Sequence, residues 1–371
     1  MKKQTIVIAS ILKPVDDTRM FEKMAQSLAA TGRYQVVVIG RSGTTTPTPS
    51  IHQIGLGLFS RISWARWTAS FQVAQQVWHL QPHLWIVATH ELLMAAIWLR
   101  WLRGIPFVYD IRENYYRNIR YSNAFPLPLR GLIATYVRIK ERLIVPWAQH
   151  VFLAESGYAR EMPFFQNATV IENKSTITDT PNGKPHGKRL LFSGTLAEST
   201  GVMEAIAWSK ALHELDDSVT LHIIGHAAQK TTLQRIREAI KGFHFITLEG
   251  GTTLVVHTRV AEAIRHADFG WVTYPISPMT ENAMPTKLYE YLACQLPILL
   301  INHPPWTKKC NAHAAALVID VPFDAARVLE RMNTSMFYTS PVTDATWASE
   351  VPKLIQAVEG ILRHTSLPGH H

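Results

Sequence analysis

PTKLYEYLACQLPI, residues 285–298, decides how this 371-residue chain is read. The stretch has the pattern of a short helix, opened by Pro285, that runs into a buried apolar strand. Lys287 and Glu290 stand three apart, so they share one helix face. A cation and a carboxylate placed this way suit a ligand that is anionic at one end and rich in hydroxyls at the other. The same pair also reads as a solvated helical ion pair, and the rest of the chain has to decide between the two.

The helix-then-strand unit repeats along the chain. In the second half RLLFSG (189–194), VTLHIIG (219–225), FHFITL (243–248), FGWVTY (269–274), LPILLI (296–301) and ALVID (316–320) read as buried strands. In the first half TIVIAS (5–10), YQVVVIG (34–40), LWIVA (84–88), PFVYD (106–110) and HVFLA (149–153) do the same. Strands apolar on both faces that alternate with amphipathic stretches predict parallel sheets covered by helices. Asp17 is placed to cap a helix over 18–30 whose stripe is Phe21, Met24, Ala25 and Leu28.

A chain of this length exceeds one ordinary core. The polar stretch STITDTPNGKPHGK, residues 175–188, reads as the linker between two domains, 1–174 and 189–344. A last amphipathic helix within 345–371 is expected to cross back onto the first domain. The fold expected is α/β: two doubly wound, Rossmann-like domains facing a central cleft. Ligands of such sheets sit at the carboxyl ends of the strands.

Charge and composition narrow the partners. The formal net charge of +9 lies wholly in the first half: through Glu172 there are 19 Lys and Arg against 10 Asp and Glu, and beyond it 18 against 18. Such asymmetry points to an anionic partner for that half, nucleic acid or acidic lipid. No recognised nucleic-acid motif accompanies the charge, so nucleic acid is set aside. Around 62–78 and 92–103, Trp64, Trp67, Phe71, Trp98 and Trp101 alternate with Arg66, Arg100 and Arg103. Trp beside Arg suits a membrane surface, although packing against the sheet accounts for most of these residues. Leu56, Leu58, Phe59, Trp64 and the flanking arginines are the excess. No run of about twenty apolar residues predicts a crossing helix. MKKQTIVIASILKP resembles a leader, but Lys13, Asp16 and Asp17 follow at once, and a first strand explains it better. Cys294 and Cys310 give no disulfide framework, which suits a reducing cytoplasm.

Chemistry is expected at the strand ends. SGTLAESTG (193–201) is a glycine turn into a helix, where Gly194 lets backbone N–H groups of the Gly194–Thr195 turn approach a phosphate. The loop 275–286, with Asn282 and Thr286, delivers a second helix start just before Lys287. Glu290 would accept hydroxyl hydrogen bonds one turn on, and backbone near Gly250 is placed for a base. In the first half Asp110 and Glu113 stand at one strand's end, His90 and Glu91 at another, and Asp17 and Arg19 in the first loop. A carboxylate among these, Asp110 first and Glu113 second, is the candidate to activate an acceptor hydroxyl or stabilise a cationic sugar.

PTKLYEYLACQLPI, SGTLAESTGVMEAI, DDTRMFEKMAQSLA and VYDIRENYY (108–116) together resemble the GT-B glycosyltransferases of retaining family 4, most of all the bacterial capsule, exopolysaccharide and O-antigen branch. The resemblance runs in order along nearly the whole chain. It implies that Glu290 binds the donor ribose, that Lys287 lies near the phosphates and that Gly194–Thr195 contacts the diphosphate. It also implies chemistry without a metal or other cofactor, consistent with the absence of an Asp-x-Asp pair. Three positions depart from the family pattern. Asn282 stands where many members have glutamate, with Glu281 one step off register. Thr195 and Thr200 replace an arginine and a lysine. Asp110-Ile111-Arg112-Glu113 replaces Asp-x-His-Glu, and Arg112, which cannot act as a base, is placed to steady a departing diphosphate.

The resemblance therefore implies a hexosyltransferase that moves sugar from a UDP-sugar to a lipid-linked or polysaccharide acceptor. Its expected place is the cytoplasmic face of an anionic membrane. A non-hydrolysing UDP-sugar 2-epimerase and a non-catalytic transferase-like subunit are the alternatives. The sugar, the base, the acceptor and the oligomeric state are not legible in the sequence.

Overall fold

A computed structural model describes residues 3–43, 48–57, 64–121, 125–177, 187–278 and 280–365. The chain divides into two compact units: Met1–Asn173 joined by Trp347–His371, and Lys174–Thr346.

The first unit is built on a seven-stranded sheet. Its strands are β1 (Gln4–Pro14), β2 (Tyr34–Arg41), β3 (Ile51–Gly55), β4 (Leu84–Val87), β5 (Phe107–Ile111), β6 (His150–Leu153) and β7 (Ala168–Val170). They lie in the order β3-β2-β1-β4-β5-β6-β7, every neighbouring pair parallel. Alternation along β1 explains the two layers of core: Val7 and Ala9 enter one cluster with Val73 and Leu93, while Ile6 and Ile8 enter the other with Met24 and Leu28. All four β1 residues are fully buried. Each isoleucine contributes about 1.5–3 kcal/mol by leaving water. Trp347, Leu354, Val358 and Leu362 of the chain's end complete the second cluster. Trp347 donates its indole N–H to Ser27 Oγ at 2.9 Å, and buried Glu350 accepts the Glu172 N–H at 3.0 Å.

The second unit carries β8 (Arg189–Thr195), β9 (Thr220–His226), β10 (Ile246–Gly251), β11 (Phe269–Val272), β12 (Ile298–Ile301) and β13 (Ala316–Ile319). Their order is β10-β9-β8-β11-β12-β13, again parallel throughout. Both sheets reverse direction at their first strand, β1 and β8, which creates the crevice of doubly wound sheets. The expected α/β, doubly wound class is thus met in each unit.

Local departures have physical causes. β3 and β7 were not foreseen, because edge strands such as IHQIG and ATV carry little apolar signal. β10 starts three residues later than FHFITL suggested. Phe243 and His244 form a turn, with Ile246 N–H bonded to Phe243 O at 3.1 Å, and the Phe245 ring stacks on His213. The helix capped by Asp17 begins with a π-helical segment, Thr18–Ala25, and Asp17 accepts the N–H groups of Arg19 and Met20 at 3.1 and 3.0 Å. Of the stretch read as a linker, Ser175–Ile177 belongs to the second unit, Ile177 within its core. Residues 178–186 of it lie outside the described residues, as do Leu58 and Phe59 and the side chains of Trp64 and Trp67.

Candidate functional site

In the second unit the strand ends carry a row of glycines. Gly194, Gly225 and Gly250 are register partners across β8, β9 and β10. A Cβ on Gly225 would lie 1.7 Å from the Gly194 carbonyl oxygen, and one on Gly250 would lie 2.4 Å from that of Gly225. At Gly225 and Gly250 only glycine lets the neighbouring backbones close up, and Gly194 needs glycine for its φ of +98°, so the row presents backbone peptide groups.

Next to that row stands the helix Thr286–Ala293, which carries Lys287 and Glu290. Tyr291 fixes it to the end of β8: its hydroxyl lies 2.9 Å from Ser193 Oγ and accepts the Ser193 N–H at 3.3 Å. The turn after β8 is closed by Thr200, whose hydroxyl donates to Thr195 O and Ala197 O, both at 2.8 Å. Thr195 itself is exposed. Gly201 opens the helix Val202–Leu215 and accepts from Thr273 Oγ1 at 2.7 Å, which pins this helix start beside the end of β11.

Lys287 is 5% exposed, and its Nζ has no hydrogen-bond partner. The ammonium lies 3.6 Å over the Phe192 ring and 5.1 Å from that of Tyr274. Its Cε is 3.8 Å from where a Cβ on Gly194 would stand, so Gly194 and Lys287 adjoin. Burial pushes the lysine down to about 7, against the opposing pull of the Glu290 carboxylate. Burial also raises the phenols of Tyr274 and Tyr291, keeping both neutral. Glu290, also buried, meets His257 Nε2 at 3.1 Å. His257 starts the helix after β10 and was missed by sequence reasoning, since a single histidine in a loop-to-helix turn has no distinguishing pattern. Asn282 is half-buried in the loop before the helix, which Trp306 holds by donating to Ala283 O at 2.6 Å, and Thr286, also half-buried, is the helix's first residue. One side chain able to change charge near neutrality, two helix starts and a bare glycine turn can receive a diphosphate. The carboxylate one turn on can receive a diol.

In the first unit the strand ends carry a buried polar network. Asp110 is wholly buried and clamped by Arg19, with Nη2–Oδ1 at 2.7 Å and Nε–Oδ2 at 2.9 Å, while Arg19 Nη1 donates to Ile171 O at 2.9 Å. In the free protein these two residues form an internal ion pair, and both carboxylate oxygens of Asp110 are taken up by Arg19. Asp17 pairs with Arg112 at 2.8 Å. Burial alone would raise the Asp17 carboxyl, but Arg112, Lys13 and the Met20 N–H together hold it low. Arg112 keeps one buried, unbonded nitrogen, Nη1. Glu113 is half-buried and accepts from Asn118 Nδ2 at 2.5 Å.

His90 and Glu91 come together with partners from farther along the chain. Lys140 Nζ lies 2.9 Å from His90 Nδ1, Glu91 pairs with Arg66, and His90 Nε2 faces Glu91 at 3.5 Å. Burial, helped by the Lys140 charge, drops His90 to about 4 and so keeps it neutral. Buried Glu141, raised by burial, accepts from the Tyr109 hydroxyl at 2.9 Å. Lys140 and Glu141 had no sequence signal as site residues, because in a helical stretch they look like a solvated pair. Among the described residues no group of three His, Cys, Asp or Glu side chains is placed to hold a metal ion.

Comparison with known proteins agrees with this architecture. Residues 18–170 match the family described as a glycosyl transferase 4-like domain. No protein of curated function matches the sequence significantly. Sucrose-phosphate synthase from Thermosynechococcus elongatus is similar in structure, with 14% identity, TM-score 0.68, and 98% of this chain and 97% of that one covered. HepE from Anabaena, solved with UDP and glucose, gives 12% identity and TM-score 0.64 over 98% and 99% of the two chains. A putative UDP-N-acetylglucosamine 2-epimerase from Listeria monocytogenes gives 10% and 0.60 over the whole of both. At these identities the likeness concerns the fold, which is of the GT-B type.

Proposed function

We propose that the chain is a glycosyltransferase that takes a sugar from a nucleotide sugar, UDP-linked, and gives it to a lipid-linked or polysaccharide acceptor. The observation that carries this reading is the buried, unbonded Lys287 beside the Gly194 turn, with Glu290 one helical turn away. The family match over 18–170 supports the class of reaction. In this reading Gly194, Thr195, Asn282, Thr286 and Lys287 surround the diphosphate, Glu290 takes the ribose and Gly250 lies toward the base. Transfer retains the anomeric configuration and uses no metal. The bond from the anomeric carbon to the diphosphate oxygen breaks, the acceptor oxygen bonds that carbon, and its proton passes to the departing diphosphate. Lys287 and the two helix starts stabilise the charge left behind.

The acceptor belongs to the first unit, where Asp17, His90, Glu91, Arg112 and Glu113 line the strand ends. The cationic excess of that half supports a reaction at the cytoplasmic face of an anionic membrane. A panel of nucleoside diphosphates in a thermal-shift assay tests the donor site. A ligand at a hundred times its dissociation constant adds about 2.7 kcal/mol of stability. If no nucleoside diphosphate raises the melting temperature, the reading fails. Acceptor-dependent release of UDP then separates an enzyme from a binding-only subunit. The epimerase-like neighbour keeps a second reading open, and incubating UDP-sugars without acceptor decides it, since only an epimerase yields a 2-epimer.

A further inference from the structure

The helix Leu127–Ile144 is apolar on both faces. Its inward face is mixed: Ala134, Val137 and Ile144 pack into the core, beside Lys140, 7% exposed, and Glu141, 0% exposed, and Arg138 reaches Asn114 Oδ1 at 2.7 Å. Its outward face is apolar: Leu129, Leu132, Tyr136, Ile139 and Leu143 recur at spacings of three and four and are 46%, 70%, 57%, 52% and 67% exposed. A helix of a water-soluble unit normally turns a polar face outward. The neighbouring helix Leu93–Arg103 adds exposed Trp98, Trp101 and Leu102, and the Trp101 ring meets that of exposed Trp147 edge-on at 5.5 Å. The combined patch exceeds the scattered apolar residues of an ordinary surface.

Its charges all have one sign. The helix Leu93–Arg103 contains Arg100 and Arg103 and no carboxylate, and the only carboxylate of Leu127–Ile144 is the wholly buried Glu141. Arg103 and Arg142 are exposed at the patch. A second copy of this face would set arginine against arginine with nothing to neutralise it. An anionic bilayer supplies both complements, hydrocarbon for the leucines and phosphate for the guanidiniums. No described helix is long and apolar enough to cross a membrane, so the geometry is that of a helix lying in the interface.

We propose that the Leu127–Ile144 and Leu93–Arg103 helices form a docking face for an anionic bilayer, with Leu132, Ile139 and Leu143 entering the acyl boundary. The inference names the surface behind the membrane location proposed above, and it stands apart from the transfer chemistry. It keeps the Trp98 and Trp101 stretch singled out in the sequence and adds Leu127–Ile144, whereas Leu56 packs against the core of the first unit.

The test uses the full chain and vesicles of phosphatidylcholine, alone or mixed equally with phosphatidylglycerol. The protein is expected to float with the mixed vesicles and to be released by salt. Leu132→Glu/Ile139→Glu is expected to lose at least about tenfold in partitioning, and Arg142→Gln roughly fivefold. Both positions of the double variant are solvent-facing, so its melting temperature and its UDP-induced shift should match the parent. That control separates failure of docking from failure of the donor site. Equal flotation with neutral vesicles, or unchanged flotation of the double variant, overturns the proposal. So does a dimer in solution that the double variant dissociates while vesicle binding persists, which would make the face a protein interface.

Discussion

The ammonium of Lys287 stands 3.6 Å over the ring of Phe192 and has no hydrogen-bond acceptor. A cation–π contact offsets only part of the cost of burying a lysine. The free protein therefore holds a destabilising group that a diphosphate would satisfy. Lys287→Met is expected to raise stability to chemical denaturation by about 2–4 kcal/mol. The same variant should lose the thermal shift given by nucleoside diphosphates. A variant less stable than the parent, or one still shifted by UDP, would remove Lys287 from the site.

The same lysine sets a pH dependence. Its folded value is about 7 against an ordinary 10.5, so between those values the unfolded chain binds the extra proton. Stability should then rise with pH across that window and level off above it, and the slope should vanish in Lys287→Met. A bound diphosphate restores the charged form. Calorimetry of UDP binding in buffers of different ionisation enthalpy should show proton uptake that grows as pH rises from 7 toward 9. A flat profile would mean that the ligand does not meet this ammonium.

Glu290 separates ribose recognition from phosphate recognition. Its carboxylate meets His257 at 3.1 Å and lies one turn beyond Lys287 on the same helix. Charge-assisted hydrogen bonds contribute roughly 1.5–3 kcal/mol each. Glu290→Gln should weaken UDP binding by about tenfold or more while leaving the affinity for inorganic pyrophosphate unchanged. Equal losses for both ligands would place Glu290 against the phosphates instead.

Much of this site was readable in the chain because its features are local. Lys287, Glu290 and Gly194 lie in short motifs whose helix or turn geometry follows from neighbouring residues. The strands were readable for a similar reason, since runs such as IVIAS and VVVIG are buried on both faces. What escaped was relational. His257 reaches Glu290 across 33 positions, and Lys140 reaches His90 across 50. The outward leucines of 127–144 carry a good helical period, but period alone does not say which face turns to the core. Ala134, Val137 and Ile144 take the core face, with Lys140 and Glu141 held by inner partners, and that leaves the leucine stripe outside.

Asp110 is the residue for which the local signal and the tertiary setting differ most. A carboxylate at a strand's carboxyl end reads as catalytic, yet here it is fully buried and held by Arg19, 91 positions away. A buried pair broken on one side leaves an uncompensated charge, which costs about 3–5 kcal/mol. Asp110→Ala should therefore lower the melting temperature sharply. Replacing both partners, as Arg19→Met with Asp110→Leu, should recover much of that stability, because the lone charge is gone. Turnover of the refolded double variant is the deciding measurement. Activity within a fewfold of the parent makes the pair a scaffold for the first loop. A stable but inactive double variant would return Asp110 to the chemistry and show that burial in the free protein does not persist with acceptor bound.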